Sequence, residues 1–103
     1  MTKADFLQEK GKLTVLLSGE IDHHGAVKIR HDIDSHILKV MPKVVLMDFT
    51  GVTFMDSSGI GLVLARNKTC RDCGASLYVC GVDRQTGKIL AHAGIRTIQN
   101  INV

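Results

Sequence analysis

The sequence has no tryptophan, and only four of its 103 residues are aromatic: Phe6, Phe49, Phe54 and Tyr78. Aliphatic side chains must fill the core, and the aromatic platforms on which single-stranded nucleic acid stacks are missing. Charge of one sign is also scarce. The net charge is +3 with the five histidines neutral, and the lysines and arginines are scattered along the chain, which argues against a nucleic-acid-binding face. No apolar run approaches the roughly 20 residues of a membrane-spanning helix, and residues 1–6 carry no apolar segment of the signal-peptide kind. A cytoplasmic protein that engages neither nucleic acid nor membrane is expected. The three cysteines are too few and odd in number for a disulfide framework. Cys70 and Cys73 form a Cys-x-x-Cys pair, but it falls near the C-terminal end of a predicted helix, where the dipole opposes a thiolate. With no second pair of metal ligands, these thiols read as small buried hydrophobes.

What is present suits one domain. Hydrophobic residues make up 45% and charged residues 22%, close to the soluble globular average, and the length fits one core. The most informative stretch spans residues 43–62. Residues 44–47, Val-Val-Leu-Met, form an unbroken apolar run, the pattern of a strand buried on both faces. Asp56-Ser57-Ser58-Gly59 follows and supplies capping residues ahead of a helical pattern. That places small hydroxyls at a helix N-terminus, which carries about half a positive charge and several unpaired N–H groups. A phosphate is electrostatically favoured there, on Ser57 or Ser58.

The remaining elements follow from periodicity and punctuation. Residues 6–10 and 13–18 read as strands of an opening hairpin around Lys10-Gly11-Lys12, and residues 19–22 as a connector. Asp22 caps a helix over 23–38, with Ala26, Ile29, Ile33 and Ile37 on one face and an end at Met41-Pro42. A strand over 44–49, a short loop, and a helix from Asp56-Ser57 to about residue 73 come next, with Gly74 suited to the C′ position. At about 100° per residue, Ile60, Val63, Leu64, Asn67 and Cys70 point toward the sheet, and Ser58, Leu62, Ala65, Arg66 and Thr69 toward solvent. Leu62 is then an exposed leucine, either an isolated one or a contact for a partner. Residues 76–80 read as a strand, 84–93 as a helix carrying an unfavourable Gly87, 95–98 as a short strand and 99–103 as a tail. The order ββαβαβαβ predicts an α/β domain with a mixed, largely parallel sheet and helices mainly on one side. If the strands before Asp22 and Asp56 are parallel neighbours, the two helix starts meet at one edge, where ligands and partners bind in open α/β sheets.

Gly19-Glu20-Ile21-Asp22-His23-His24, Val45-Leu46-Met47-Asp48 and Thr53-Phe54-Met55-Asp56-Ser57-Ser58-Gly59-Ile60-Gly61, in this order and spacing, resemble the bacterial anti-sigma factor antagonists of the STAS domain class, and most closely their sporulation sigma-F branch. The resemblance covers almost the whole chain and implies a single STAS domain over residues 1–103. It implies that Ser57, directly after Asp56, is the phosphoacceptor. The unphosphorylated protein would bind an anti-sigma factor that is also a serine kinase and so free the sigma factor. Phosphorylation from ATP would end that interaction, and a PP2C-type phosphatase would reset it. The antagonist itself would be monomeric alone, would catalyse nothing and would need no cofactor. Asp22, His23 and His24 from the first helix start, and Asp56, Ser57, Ser58, Gly59, Gly61 and Leu62 from the second, form the implied partner surface. Gly25 and Arg84-Gln85-Thr86-Gly87 depart from the family pattern, away from the serines.

Plainer readings stand beside these. Asp22 and Asp56 are good caps whatever else they do. Adjacent His23 and His24 point about 100° apart on a helix and cannot share a metal in the i, i+4 manner. Two other functions remain open: a domain that holds a nucleotide or other phosphate-bearing ligand at the Ser57 helix terminus, and a STAS scaffold without a phosphate cycle.

Overall fold

The computed structural model describes residues 1–98. The tail over 99–103 lies outside the described residues. Strands β1 (Lys3–Glu9) and β2 (Lys12–Ile21) form the opening antiparallel hairpin. Helix α1 (His23–Val40), strand β3 (Val44–Met55), helix α2 (Ser57–Asp72), strand β4 (Ser76–Cys80), helix α3 (Arg84–His92) and strand β5 (Arg96–Ile98) follow. The strands lie in sequence order, β1-β2-β3-β4-β5, and every pairing after the hairpin is parallel. The expected order ββαβαβαβ is the observed one.

Two segments read as irregular are strand. Residues 19–21 continue β2, and residues 50–55 continue β3. Gly19 pairs with Val52 and Ile21 with Met55, with register shifts on either side of Ser18 and Gly19. Gly19 suggests a break in sequence, but its φ of +83° makes it a bulge that lets the strand resume. The pairing of β3 with β4 stops at Asp48 and Cys80. Beyond that point β2 and β3 form a two-stranded ribbon that carries the chain to both helix starts.

The helices cover mainly one face of the sheet. Leu13, Val15 and Leu17 of β2, Val45, Met47 and Phe49 of β3, and Leu77 and Val79 of β4 are buried there, against Ile29, Ile33 and Ile37 of α1, Val63 and Cys70 of α2, and Leu90 of α3. The expectation that residues 44–47 are buried on both faces is corrected. Val45 and Met47 are buried, whereas Val44 and Leu46 are only half-buried on the other face, beside exposed Leu16. An all-apolar run hides the period-2 signal that would distinguish one buried face from two. On the hairpin side, the Phe6 and His36 rings stack with centroids 3.6 Å apart, which ties α1 to β1.

The face assignment for α2 is also corrected. Leu62 is 4% exposed and Arg66 is buried, while Leu64 is 40% exposed. Helix α2 packs on the sheet and on α1 together, so its buried arc exceeds that of a helix facing a sheet alone, and Leu62 and Arg66 fall on the α1 side of it. Leu62 is therefore interior packing and not an exposed leucine, reached only from the groove between α1 and α2.

Candidate functional site

Two helices begin side by side at one edge of the sheet. Ile21 ends β2 opposite Met55, which ends β3, and the Asp56 amide donates to the Ile21 carbonyl at 3.4 Å. The next residue of each chain segment is a cap. Asp22 Oδ1 accepts from the Gly25 amide at 2.8 Å, and Asp56 Oδ1 accepts from the Ser58 amide at 2.8 Å. Each carboxylate satisfies one amide left unpaired by its helix. Extended backbone at both aspartates (ψ −172° and −164°) turns strand into helix without a loop.

Ser57 is the first residue of α2 and is exposed. Its Oγ makes no hydrogen bond within the described residues. A free hydroxyl is thus held by rigid backbone at the positive end of a 16-residue helix. Ser58 is half-buried, turned toward the groove between α1 and α2. His23 lines that same groove, while His24 lines a different crevice with Thr2 and with Glu20 of β2. The two imidazoles diverge, and no group of three or more potential metal ligands occurs among the described residues.

The two glycines of the second helix start play different parts. Gly61 opens to solvent, since a Cβ there would meet nothing within 4 Å. Gly59 is buried, and a Cβ there would collide with the Met55 side chain and approach Ile21 Cγ2 to 3.4 Å. The expectation that Gly59 lies on the partner surface is corrected: it is buried and clears space for the strand beneath α2. Gly25, a departure from the family pattern, has a similar cause. A Cβ there would strike Thr2 and come within 2.6 Å of the Glu20 carbonyl oxygen. Sequence reasoning passed over Phe54, which is 54% exposed two residues before Asp56. Its alternation with inward-packed Met55 in the strand is the signal that would have found it.

Cys70 lies inside α2 and Cys73 caps its end, and all three thiols are free. Burial, with Cys73 and Asp34 nearby, pushes the Cys70 thiol up to about 11. Burial and the adjacent Asp48 carboxylate push Cys80 up to about 11 as well. Neither is a thiolate at neutral pH, so neither is poised for redox chemistry.

A STAS domain model matches residues 3–102 of the sequence. The chain belongs to the STAS domain family. This STAS domain is 34% identical over 92 residues to the anti-sigma F factor antagonist of Paenibacillus polymyxa, a match covering 89% of the chain and 79% of the relative. In fold it resembles the anti-sigma factor antagonist SpoIIAA in its unphosphorylated form, with a TM-score of 0.77 and 24% identity over 95% of this chain and 87% of that one. It resembles the Bacillus cell fate determinant SpoIIAA in the phosphorylated form equally well, with a TM-score of 0.77 and 24% identity over 96% of this chain and 90% of that one. No helix of the described STAS domain is long and apolar enough to cross a membrane.

Proposed function

We propose that this STAS domain is a cytoplasmic anti-sigma factor antagonist of the sporulation type, switched by phosphorylation of Ser57. The observation that carries the reading is the free, exposed Ser57 hydroxyl at the first position of α2, between two adjacent capped helix starts. The name of the Paenibacillus polymyxa relative supports it. Unphosphorylated, the surface around Asp22, His23, His24, Asp56, Ser57, Ser58 and Gly61 binds an anti-sigma factor that is also a serine kinase, and the sigma factor is released. The protein is the substrate of this cycle and not a catalyst. Ser57 Oγ attacks the γ-phosphorus of ATP held by the kinase. The new O–P bond replaces the bond to ADP, and the hydroxyl proton leaves to a base of the kinase.

The phosphate adds about −1.5 to −2 charges at the positive end of α2, which the isolated domain tolerates. At the interface the same dianion lies beside Asp56 and Asp22, where desolvation and repulsion cost several kcal/mol. The similarity of the described fold to SpoIIAA in both phosphorylation forms supports a switch that acts at the surface without refolding the domain. A PP2C-type phosphatase removes the phosphate.

The test is to incubate the protein with its host's anti-sigma factor kinase and ATP and to locate the phosphate by mass spectrometry. Modification at Ser57, absent without the kinase and absent in Ser57→Ala, is expected. Stoichiometric phosphate at another residue, or none at all, overturns the assignment.

A further inference from the structure

A groove of about 200 Å³ separates α1 from α2 next to the serines. Its walls include His23, Val27 and Arg30 of α1 and Ser58, Gly61 and Arg66 of α2. Among the described residues, every charged residue lining it is an arginine and no carboxylate lines it. The two arginines are held differently. Arg66 is buried and its Nε lies 2.9 Å from Asp34 Oδ1. Asp34 stands four residues after Arg30, the position from which an α1 carboxylate would neutralise it, but Arg66 already engages that carboxylate. Arg30 is exposed and pairs with no carboxylate among the described residues. Gly61 keeps the opposite wall low, since a Cβ there would meet, among the described residues, no atom beyond its own turn of helix within 4 Å.

We infer that this groove receives an acidic side chain of the kinase partner, with Arg30 as its receptor. The inference rests on the antagonist reading above and specifies the chemistry of the partner surface. A cation left unpaired in a concave site gains most from a carboxylate that arrives with its own partner surface, because both ions lose water together and pair as they do so. The volume is several times the about 30 Å³ share of one water, so a carboxylate side chain fits between the helices. Ser58 lines the same groove, directly after the phosphoacceptor, so occupation of the groove fixes the register in which the kinase meets Ser57.

The experiment compares Arg30→Glu, Arg30→Gln and Lys28→Glu with the parent for affinity to the host's anti-sigma factor kinase, at low salt and at about 0.5 M salt, where the screening length shrinks to a few ångströms. Lys28 is an exposed α1 residue outside this groove, so its reversal changes net charge equally. Arg30→Glu is expected to weaken binding about tenfold or more at low salt and Arg30→Gln less, with both losses shrinking at high salt. Lys28→Glu is expected to have a clearly smaller effect. Equal affinity of Arg30→Glu and the parent, an equal loss in Lys28→Glu, or a loss independent of salt overturns the inference. If the parent itself fails to bind or be phosphorylated, it is the antagonist reading that falls. Thermal melts of all variants should coincide with the parent's, since both side chains are exposed.

Discussion

Arg66 Nε of α2 lies 2.9 Å from Asp34 Oδ1 of α1, with the arginine side chain 8% exposed and the aspartate 30% exposed. The approach is that of an ion pair without the alignment of a good hydrogen bond. Arg66 cannot lose its proton, so removing its partner strands a charge between two helices. Asp34→Ala is expected to cost about 2 kcal/mol in urea unfolding, less than the cost of breaking a fully buried pair because Asp34 is partly solvated. Replacing both residues, as Asp34→Leu with Arg66→Met, should recover most of that loss. A single Asp34→Ala variant as stable as the parent would show that solvent already compensates Arg66.

Leu62 and Leu64 give opposite outcomes to the same truncation. Leu62→Ala removes buried atoms and should cost about 2–4 kcal/mol, whereas Leu64→Ala on the exposed side should stay within about 1 kcal/mol. Denaturation midpoints of the pair decide which face of α2 is interior, and a reversed ranking would restore the arrangement expected from periodicity alone.

Gly59→Ala and Gly61→Ala separate likewise. The first forces Met55 away from the base of α2 and should destabilise the domain, since overpacking costs about 1–3 kcal/mol. The second fills empty space in a helix and should add up to about 1 kcal/mol of stability. Thermal melts provide the readout; destabilisation by both would mean that Gly61 is not open.

These contrasts mark how far the sequence was readable. The cap at Asp22, the cap at Asp56, the amphipathic stripe of α1 and the sheet order were legible, because each rests on local chemistry or on connection rules. The extensions of β2 and β3 were not, because Gly19 and Thr50-Gly51 carry turn chemistry that a bulged ribbon overrides. Nor was the burial of Leu62 and Arg66, because periodicity reports a stripe and α2 has two neighbours. The position of Ser57 was legible from its cap, but its exposure, against the half-burial of Ser58, depends on where α1 lies.

Asp22→Asn keeps a good cap while removing a charge at the edge shared with Ser57. Stability should change by less than about 0.5 kcal/mol, whereas affinity for the anti-sigma factor kinase should drop measurably in calorimetric titration. Unchanged affinity would leave Asp22 with a capping role alone.

The thiols should report their surroundings to an alkylating agent near pH 8. Cys70, buried and with its thiol raised to about 11, should react only on unfolding, and Cys73, half-buried at the end of α2, should react first. Mass spectrometry of the partially labelled protein measures the order, and early labelling of Cys70 would mean that α2 opens in the native state.

The backbone link from Asp56 to Ile21 has a consequence for ionic strength. Neighbouring strands lie about 4.8 Å apart, and the two capping residues leave the paired strand ends Ile21 and Met55 at about that spacing. This is shorter than the about 8 Å Debye length at physiological salt. A charge installed at one mouth is therefore felt at the other with little attenuation by the surrounding electrolyte.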